Sequence, residues 1–303
     1  MEEQKIVLVS PNCSDLAPPS VITKRFPDGE SYCRLEGVEN IAGKKIYILH
    51  RLFPNPDENL ITLFQIMYGA KKAGAGSIEL ILPYVPYARA DKEWLQGEVM
   101  SAKLLVKLLK ENWAQRVYTW DCHFLKAPGV MQYEGLEFIN RCKGEDLIAA
   151  IRRTHKEIVV VSPDTGAKYI VGQSGLFMRK ERGEYEETNQ NKTQRKINQI
   201  EPQFDKIAIE GKTVVLVDDM IAGGGTMIRA AEKCYELGAK EVICAATHGM
   251  FLGDALSKIF ATGVRWIITT DTIINPTSKV SIKQDIKEIL EPKENNKWNE
   301  KGF

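Results

Sequence analysis

One stretch of the chain joins an apolar run, two adjacent carboxylates and three glycines. Residues 214–217 are apolar and mostly β-branched, which predicts a strand buried on both faces of a parallel sheet. Asp218 and Asp219 come at the carboxyl end of that strand, and glycines fill positions 223–225. Glycines let consecutive backbone N–H groups converge on a phosphate beside the start of the next helix, and Thr226 can cap that helix or bind the phosphate. The stretch therefore predicts a cradle for a sugar phosphate.

The two carboxylates have a chemical use at this position. In open α/β sheets, ligands bind beyond the carboxyl ends of the strands, so Asp218 and Asp219 can accept hydrogen bonds from vicinal hydroxyls or hold a hydrated cation. The simpler alternative is an ordinary strand, glycine turn and helix with two solvated aspartates. Adjacent acids before the glycines favour the binding site.

The composition indicates a globular protein whose anion site is local. The 303 residues correspond to two domains at the usual length of roughly 150 residues each, and 44% hydrophobic residues suffice for ordinary cores. Forty-one basic and forty acidic residues leave a formal charge of +1. Nothing in this balance indicates binding to nucleic acid or to a membrane surface.

The expected compartment is the cytoplasm. The amino-terminal residues lack the basic start and apolar stretch of a leader, and no apolar run approaches the roughly 20 residues needed to span a bilayer. The six cysteines include no Cys-x-x-Cys pair, so neither a zinc site nor a disulfide framework is indicated. We expect most of them to be buried and reduced.

A repeated pattern predicts the architecture. Residues 43–49 and 211–217 each read as a turn followed by a strand. Each is followed by a helical stretch that ends at glycine and by another strand, at 78–82 and 242–246. This succession predicts an α/β protein with two copies of one fold, each a mostly parallel sheet flanked by helices. Coincidence among unrelated α/β units is the alternative.

We expect an N-terminal domain over 1–143 and a C-terminal domain over 144–303, because a polar break near residues 141–147 separates a predicted strand from a helix-like segment. Residues 183–208 are polar with weak periodicity, so we expect a long mobile loop at about 178–210. Loops of that length are usually functional or disordered. The charged residues 291–303 are expected to form a frayed or partner-bound tail.

An aromatic and acidic turn lies near the amino terminus. Phe26, Asp28 and Glu30 surround a glycine. Taken alone, such a turn is more often ordinary surface than a binding site.

Further polar side chains lie at strand ends. Arg89 and Asp91 follow a predicted strand, and arginine can stack on a base or bind phosphate through its planar fork. His123 ends another predicted strand, where a lone histidine is more often structural. Lys180 and Arg182, taken alone, are a solvated charge run.

The order of these motifs resembles a known enzyme family. The glycine stretch resembles the phosphoribosyl-pyrophosphate (PRPP) motif of phosphoribosyltransferases and PRPP synthetases, and nearly the whole chain resembles the ribose-phosphate pyrophosphokinase (PRPP synthetase) family. The matching motifs are Phe-x-Asp-Gly-Glu from residue 26, Pro-Tyr-x-x-Tyr-Ala-Arg-x-Asp from 83, Asp-x-His from 121, Ser-Pro-Asp-x-Gly from 162, the PRPP motif, Thr-His-Gly-Met-Phe from 247 and Thr-Asp-Thr from 270. Plain phosphoribosyltransferases share only the motif of the second half, so the earlier matches favour the synthetase.

The resemblance implies two phosphoribosyltransferase-like domains and a ribose-phosphate diphosphokinase. Such an enzyme transfers the diphosphoryl group of MgATP to the 1-hydroxyl of ribose 5-phosphate and gives PRPP and AMP. It also implies a homo-oligomer, a dimer or a larger assembly such as a hexamer, in which a neighbouring subunit contributes to the ATP site. The matching positions are, for ATP, Phe26, Asp28, Glu30, Arg89, Asp91 and His123; for Mg²⁺, His123 and Asp164; for ribose 5-phosphate, Asp218, Asp219, Gly223, Gly224, Gly225 and Thr226; and for catalysis, Lys180, Arg182 and His123.

Three positions depart from the family pattern. Ala222 and Gly223 stand where the family usually has Asp and Thr, and Ala90 stands where it usually has Gln. These departures motivate an alternative function, a catalytically weak homologue that acts as a regulatory or scaffold subunit. A third possible function, that of a phosphoribosyltransferase, predicts activity with PRPP and a base and no need for ATP.

Overall fold

The computed structural model describes residues 4–172, 175–188 and 192–291, with side chains except those of residues 180–199. The predicted tail lies outside the described residues from 292 onward. In the described part of the chain, the strands are β1 (Lys5–Val9), β2 (Val21–Arg25), β3 (Ser31–Leu35), β4 (Lys45–Leu49), β5 (Ser77–Ile81), β6 (Ala114–Trp120), β7 (Gly129–Tyr133), β8 (Leu136–Arg141), β9 (Ile158–Ser162), β10 (Leu176–Thr188), β11 (Lys192–Pro202), β12 (Thr213–Ile221), β13 (Glu241–Gly249), β14 (Trp266–Thr270) and β15 (Ser278–Val280). The helices there are α1 (Pro56–Lys72), α2 (Ser101–Glu111), α3 (Gly144–Arg152), α4 (Gly225–Glu236), α5 (Ala255–Ala261) and α6 (Lys283–Leu290). None of these helices combines the length and the apolar character needed to cross a membrane.

The first half of the chain forms one sheet in the order β1-β4-β5-β6-β8-β7. All neighbours pair in parallel except β7, which pairs antiparallel with β8 at the edge. Strand β4 is apolar and buried on both faces, as expected of a strand inside a parallel sheet. Strands β2 and β3 form a separate antiparallel hairpin.

The second half forms a sheet in the order β11-β10-β9-β12-β13-β14-β15. All neighbours in it pair in parallel except β11, which pairs antiparallel with β10 at the edge. The prediction of two parallel-sheet domains is confirmed. The repeat extends to single hydrogen bonds: the N–H of Gly43 donates to the carbonyl of Gly74, that of Gly211 donates to the carbonyl of Gly238, and both distances are 2.8 Å. Both acceptor glycines end a helix with a left-handed φ, 84° and 87°.

Helices cover both faces of each sheet, and two of them, α3 and α6, pack on the sheet that they do not directly follow in sequence. Helix α3 packs on the second sheet, beside Val215 and Ile243. Helix α6 comes after the second sheet and packs on the first through Ile286 and Ile289, which share a buried cluster with Trp120. The division at residues 143 and 144 stays a prediction.

A buried arginine ties the two sheets together. Arg51 follows β4 and donates from Nη2 to the carbonyl of Asp271 at 2.6 Å and from Nε to the carbonyl of Thr272 at 3.2 Å. Asp15 neutralises it through an Nη2 to Oδ2 contact of 2.9 Å. The cluster thus joins the end of β4 to the segment after β14 by two hydrogen bonds from one paired, buried charge.

Two sequence predictions differ from the structure. Strand β12 does not end before the aspartates but runs through Asp218 and Asp219 to Ile221, because β13 continues the parallel pairing as far as Gly249. The expected mobile loop at 183–208 contains most of the antiparallel hairpin β10–β11. A hairpin satisfies its backbone hydrogen bonds within itself, so it forms without the apolar periodicity on which the prediction depended.

Candidate functional site

Strand β12 carries its two carboxylates to opposite faces of the second sheet. Val217 packs in the cluster of α3, whereas Leu216 packs in the cluster of α4. Because side chains alternate along a strand, Asp219 points to the α3 side and Asp218 to the α4 side. Both aspartates are only 7% exposed.

Asp219 meets a histidine from the other sheet. The Nδ1 of His123 lies 2.5 Å from Oδ2 of Asp219. Burial raises the pKa of Asp219, but the hydrogen bond and charge of His123 and the nearby His248 outweigh it, so the pKa lies below its ordinary value. The carboxylate is therefore held ionised. This contact joins the Asp-x-His motif of the first half to the PRPP motif of the second.

The turn that carries His123 is fixed from several sides. Asp121 is fully buried in a left-handed conformation with φ of 37°. Its Oδ2 accepts from Oγ1 of Thr247 at 2.5 Å and from the N–H of Lys143 at 2.9 Å. The N–H of Cys122 donates to Oδ1 of Asn140 at 3.0 Å. Burial raises the pKa of Asp121 to about 6, although the bond from Thr247 opposes this.

A second buried histidine bridges the sheets. Nε2 of His248 donates to the carbonyl of Trp120 at 2.9 Å, so Nδ1 accepts from Oγ1 of Thr272, also at 2.9 Å. Burial lowers the pKa of His248 to about 4. Tyr84 lies edge-on to the ring, with centroids 5.0 Å apart. His248 is thus a neutral bridge between the sheets beside the site.

The glycine loop leads from β12 into α4 through one residue in the left-handed conformation. Gly224 is the N-cap of α4 and has φ of 79°. Thr226 therefore does not cap this helix, which was one of the two roles predicted for it. Thr226 lies in the first turn. Gly224 has no side chain that could cap this end, and Gly223 before it is exposed. The first N–H groups of α4 therefore face the loop, where an anion can accept their hydrogen bonds.

The predicted metal residues lie at the ends of two different sheets. Asp164 follows β9, the neighbour of β12, and its Oδ1 accepts from the N–H of Gly166 at 3.0 Å. His123 lies at the end of β6 and contacts Asp219. Within residues 4–172, 175–188 and 192–291, no group of three or more His, Cys, Asp or Glu side chains forms a complete metal site. Mg²⁺ needs no such cage, because it usually binds through one or two carboxylates, waters and substrate phosphates.

Apart from His123, which lies against Asp219, the predicted ATP residues fall into two groups. Phe26, Asp28 and Glu30 lie at the exposed tip of the β2–β3 hairpin, where Oδ1 of Asp28 accepts from the N–H of Glu30 at 3.1 Å. Arg89 and Asp91 lie on the connection between β5 and α2, and the charge of Arg89 acts on the nearby Tyr84. In the described structure, no hydrogen bond or ion pair joins the hairpin tip to the second group.

The two predicted catalytic cations share a strand. The backbones of Lys180 and Arg182 belong to β10, and they pair with residues 200 and 197 of β11. Their side chains lie outside the described structure. Strand β10 begins beside β9, so both residues belong to the hairpin that extends from the same sheet as Asp219.

Sequence reasoning gave no individual role to Asp121, Thr247 or His248. Each appeared only as a letter of a family motif. The available signal was their position, because all three are polar residues at the carboxyl ends of otherwise apolar buried strands, where ligands bind in α/β sheets.

Comparison with known proteins covers most of the chain. A family model described as the N-terminal domain of ribose phosphate pyrophosphokinase matches residues 13–112, and the phosphoribosyl transferase domain model matches residues 140–261. The chain is 33% identical to a ribose-phosphate pyrophosphokinase from Sulfolobus acidocaldarius over 86% of both chains. It is 32% identical to one from Methanopyrus kandleri, over 92% of this chain and 91% of the relative.

A solved structure agrees with these sequence matches. The crystal structure of phosphoribosylpyrophosphate synthetase from Mycobacterium smegmatis superposes with a TM-score of 0.73 and 26% identity. The match covers 95% of this chain and 99% of that one. The similarity therefore includes both sheets and their arrangement.

Proposed function

The chain belongs to the ribose-phosphate pyrophosphokinase family, and we propose that it transfers the diphosphoryl group of ATP to the 1-hydroxyl of ribose 5-phosphate. The hydroxyl oxygen bonds to the β-phosphorus of ATP and loses its proton, while the bond from the β-phosphorus to the oxygen of the α-phosphate breaks. The products are PRPP and AMP. The observation that carries the proposal is the contact between His123 and Asp219, because it brings motifs of both sheets to one point.

The ribose 5-phosphate site is proposed at the end of β12. Asp219, which is held ionised, and Asp218 are hydrogen-bond acceptors for the ribose hydroxyls. The open first turn of α4 donates backbone hydrogen bonds to the 5-phosphate, and Gly224 allows the tight approach of the loop.

Magnesium is the proposed cofactor. The carboxylate of Asp164 and the ring of His123 are the proposed protein ligands, and the donor set fits a cation that is completed by water and phosphate oxygens. When bound, Mg²⁺ neutralises charge on the phosphate oxygens. His123 is already oriented by its bond to Asp219, so the protein holds this ring in place for phosphate or metal.

The transfer itself needs alignment and positive charge more than covalent chemistry. We propose that Lys180 and Arg182 supply this charge from the β10–β11 hairpin. A hairpin that closes over bound substrates excludes water and so disfavours hydrolysis of ATP.

The ATP site is proposed to be shared between two copies of the chain. The exposed ring of Phe26, with Asp28 and Glu30, forms one half-site, and Arg89 with Asp91 forms the other. The exposed ring of Phe26, 49% accessible at the hairpin tip, fits a site that a second copy completes, in a dimer or a larger assembly. The six free cysteines support a reducing compartment, and we propose the cytoplasm.

The test is product formation by purified protein. ATP, ribose 5-phosphate and Mg²⁺ are supplied, AMP and PRPP are followed together, and ribose 5-phosphate is omitted in the control. We expect sugar-dependent AMP and PRPP in wild type and a large loss in Asp219→Asn, which keeps the shape and removes the charge. If folded protein binds ATP and forms neither product, the regulatory or scaffold alternative is favoured. Turnover of PRPP with a base and without ATP favours a phosphoribosyltransferase.

A further inference from the structure

We propose that Thr247 is a positioning residue for the proposed reaction, and that its hydroxyl, acting through Asp121, holds His123 against Asp219. The inference rests on the proposed function for its kinetic test only. Its structural basis is a closed ring of contacts that crosses between the two sheets.

The ring begins and ends on adjacent strands. Oγ1 of Thr247 donates to Oδ2 of Asp121 at 2.5 Å, and His123, two residues after Asp121, lies 2.5 Å from Asp219. In the β12–β13 register, Asp218 pairs with Ala246 and Met220 with His248, so Asp219 and Thr247 are opposite each other. One strand pair thus holds the turn of the first sheet at two points.

The same face of the second sheet carries both points. Ile243 and Ala245 of β13 pack in the cluster of α3, and the alternation of the strand turns Thr247 to that side. Asp219 points to the same side by the same rule. The hydroxyl and the carboxylate therefore approach the turn of the first sheet together.

Asp121 needs an external tie. Its φ of 37° is unusual for a residue with a side chain, and such conformations persist only where the surroundings fix them. The N–H of Lys143 also holds Asp121, at 2.9 Å, but Thr247 is its hydrogen-bond donor from the second sheet. Without the hydroxyl, the turn keeps its tie to the linker before α3 and loses this tie to the sheet that carries Asp219.

Thr247 is itself rigidly placed. The residue is completely buried, and its carbonyl accepts from Oγ1 of Thr270 at 2.7 Å. A hydroxyl on a fixed strand transmits its position to its acceptor. Removal of the hydroxyl should therefore displace Asp121 and its turn, and should leave β13 in place.

The experiment compares Thr247→Val with wild type and Thr247→Ala with Thr247→Ser, so that the two members of each pair differ at the hydroxyl. Thr247→Val and Thr247→Ala lack it, whereas wild type and Thr247→Ser retain it. Thr119→Val is the matched control, because Thr119 is also completely buried and its hydroxyl has no hydrogen-bond partner in the described structure. Melting temperatures establish that each variant is folded.

The kinetic result expected is a selective loss of turnover. Thr247→Val should lower kcat by about 10-fold, the equivalent of about 1.4 kcal/mol in the barrier, with both KM values within about twofold of wild type. Thr247→Ser should restore most of the rate relative to Thr247→Ala, and Thr119→Val should match wild type. A Thr247→Val enzyme with unchanged kcat, or Ser and Ala variants with equal rates, overturns the inference while the proposed function stands.

A readout without turnover separates the inference from the proposed function. In protein labelled with ¹³C at the histidine Cε1, the His123 resonance is assigned with His123→Asn. It should move in Thr247→Val and Thr247→Ala and stay in place in Thr247→Ser and Thr119→Val. If His123 keeps its resonance when the hydroxyl is removed, Thr247 does not position it, whatever the enzyme catalyses.

Discussion

Replacing Gly224 by alanine tests whether the glycine loop needs the backbone that the structure gives it. Gly224 has φ of 79°, and an added Cβ would lie 3.2 Å from Cδ1 and Cγ1 of Ile259 and 3.4 Å from Cβ of Ala255. The left-handed conformation costs a residue with a side chain about 1–2 kcal/mol. The contact with the buried Ile259 requires a shift of only a few tenths of an ångström, so the backbone conformation sets most of the expected cost. We therefore expect Gly224→Ala to lower the free energy of unfolding by about 1.5 kcal/mol.

The assay is thermal unfolding, with ribose 5-phosphate binding measured by calorimetry on the same samples. A loss of about 1.5 kcal/mol corresponds to a fall in Tm of about 3–6 °C for a domain of this size. Affinity for ribose 5-phosphate should fall as well, because the first turn of α4 shifts with its N-cap. Gly223→Ala is the matched control, since Gly223 is exposed and outside the left-handed region. Its Tm should stay within about 1–2 °C of wild type, in line with surface substitutions of about 0.5 kcal/mol. Equal Tm values for wild type and Gly224→Ala would refute this account of the loop.

Three further predictions concern pH, the loop sequence and the hairpin. Burial lowers the pKa of His50 and of His248 to about 4, so between pH 6.5 and 4 the unfolded chain binds more protons than the folded one. Denaturant titrations should therefore show that the free energy of unfolding decreases as the pH is lowered through that window, by about 2 kcal/mol per histidine at pH 5. Asp121 offsets part of this loss, because burial raises its pKa to about 6. Ala222→Asp restores the usual family residue, and initial rates measured at saturating substrates should rise strongly if the loop limits turnover, whereas an unchanged rate would indicate an adapted site. Lys180→Ala should lower kcat far more than it raises either KM, because its charge acts mainly on the transition state; equal changes in kcat and KM would indicate a binding role.

Sequence reasoning predicted the repeated elements because each signal was local. Consecutive residues specify each turn, each helix-ending glycine and each buried strand, and both copies form as predicted. The PRPP motif was found for the same reason, since its carboxylates and glycines lie within one strand and one turn.

The contacts between the sheets could not be predicted from such local signals. The bond from Thr247 to Asp121 spans 126 residues, and the bond from His248 to Trp120 spans 128. No periodicity links such residues, because their approach depends on how two finished sheets pack. The position of α6 on the first sheet has the same cause.

The hairpin shows a different limit. Its polar residues gave neither strand alternation nor an apolar face, and these are the signals from which strands are predicted. The backbone pairing between β10 and β11 is independent of those signals. Weak periodicity therefore did not exclude a pair of strands.

The central claim is that the two sheets form one site for diphosphoryl transfer, and ³¹P NMR of the reaction mixture tests it most directly. With ATP, ribose 5-phosphate and Mg²⁺, the account predicts that the ATP signals are replaced by those of AMP and PRPP in a one-to-one ratio, with no change when ribose 5-phosphate is omitted. Release of orthophosphate or pyrophosphate without PRPP, or no reaction from folded protein that binds both substrates, would contradict it.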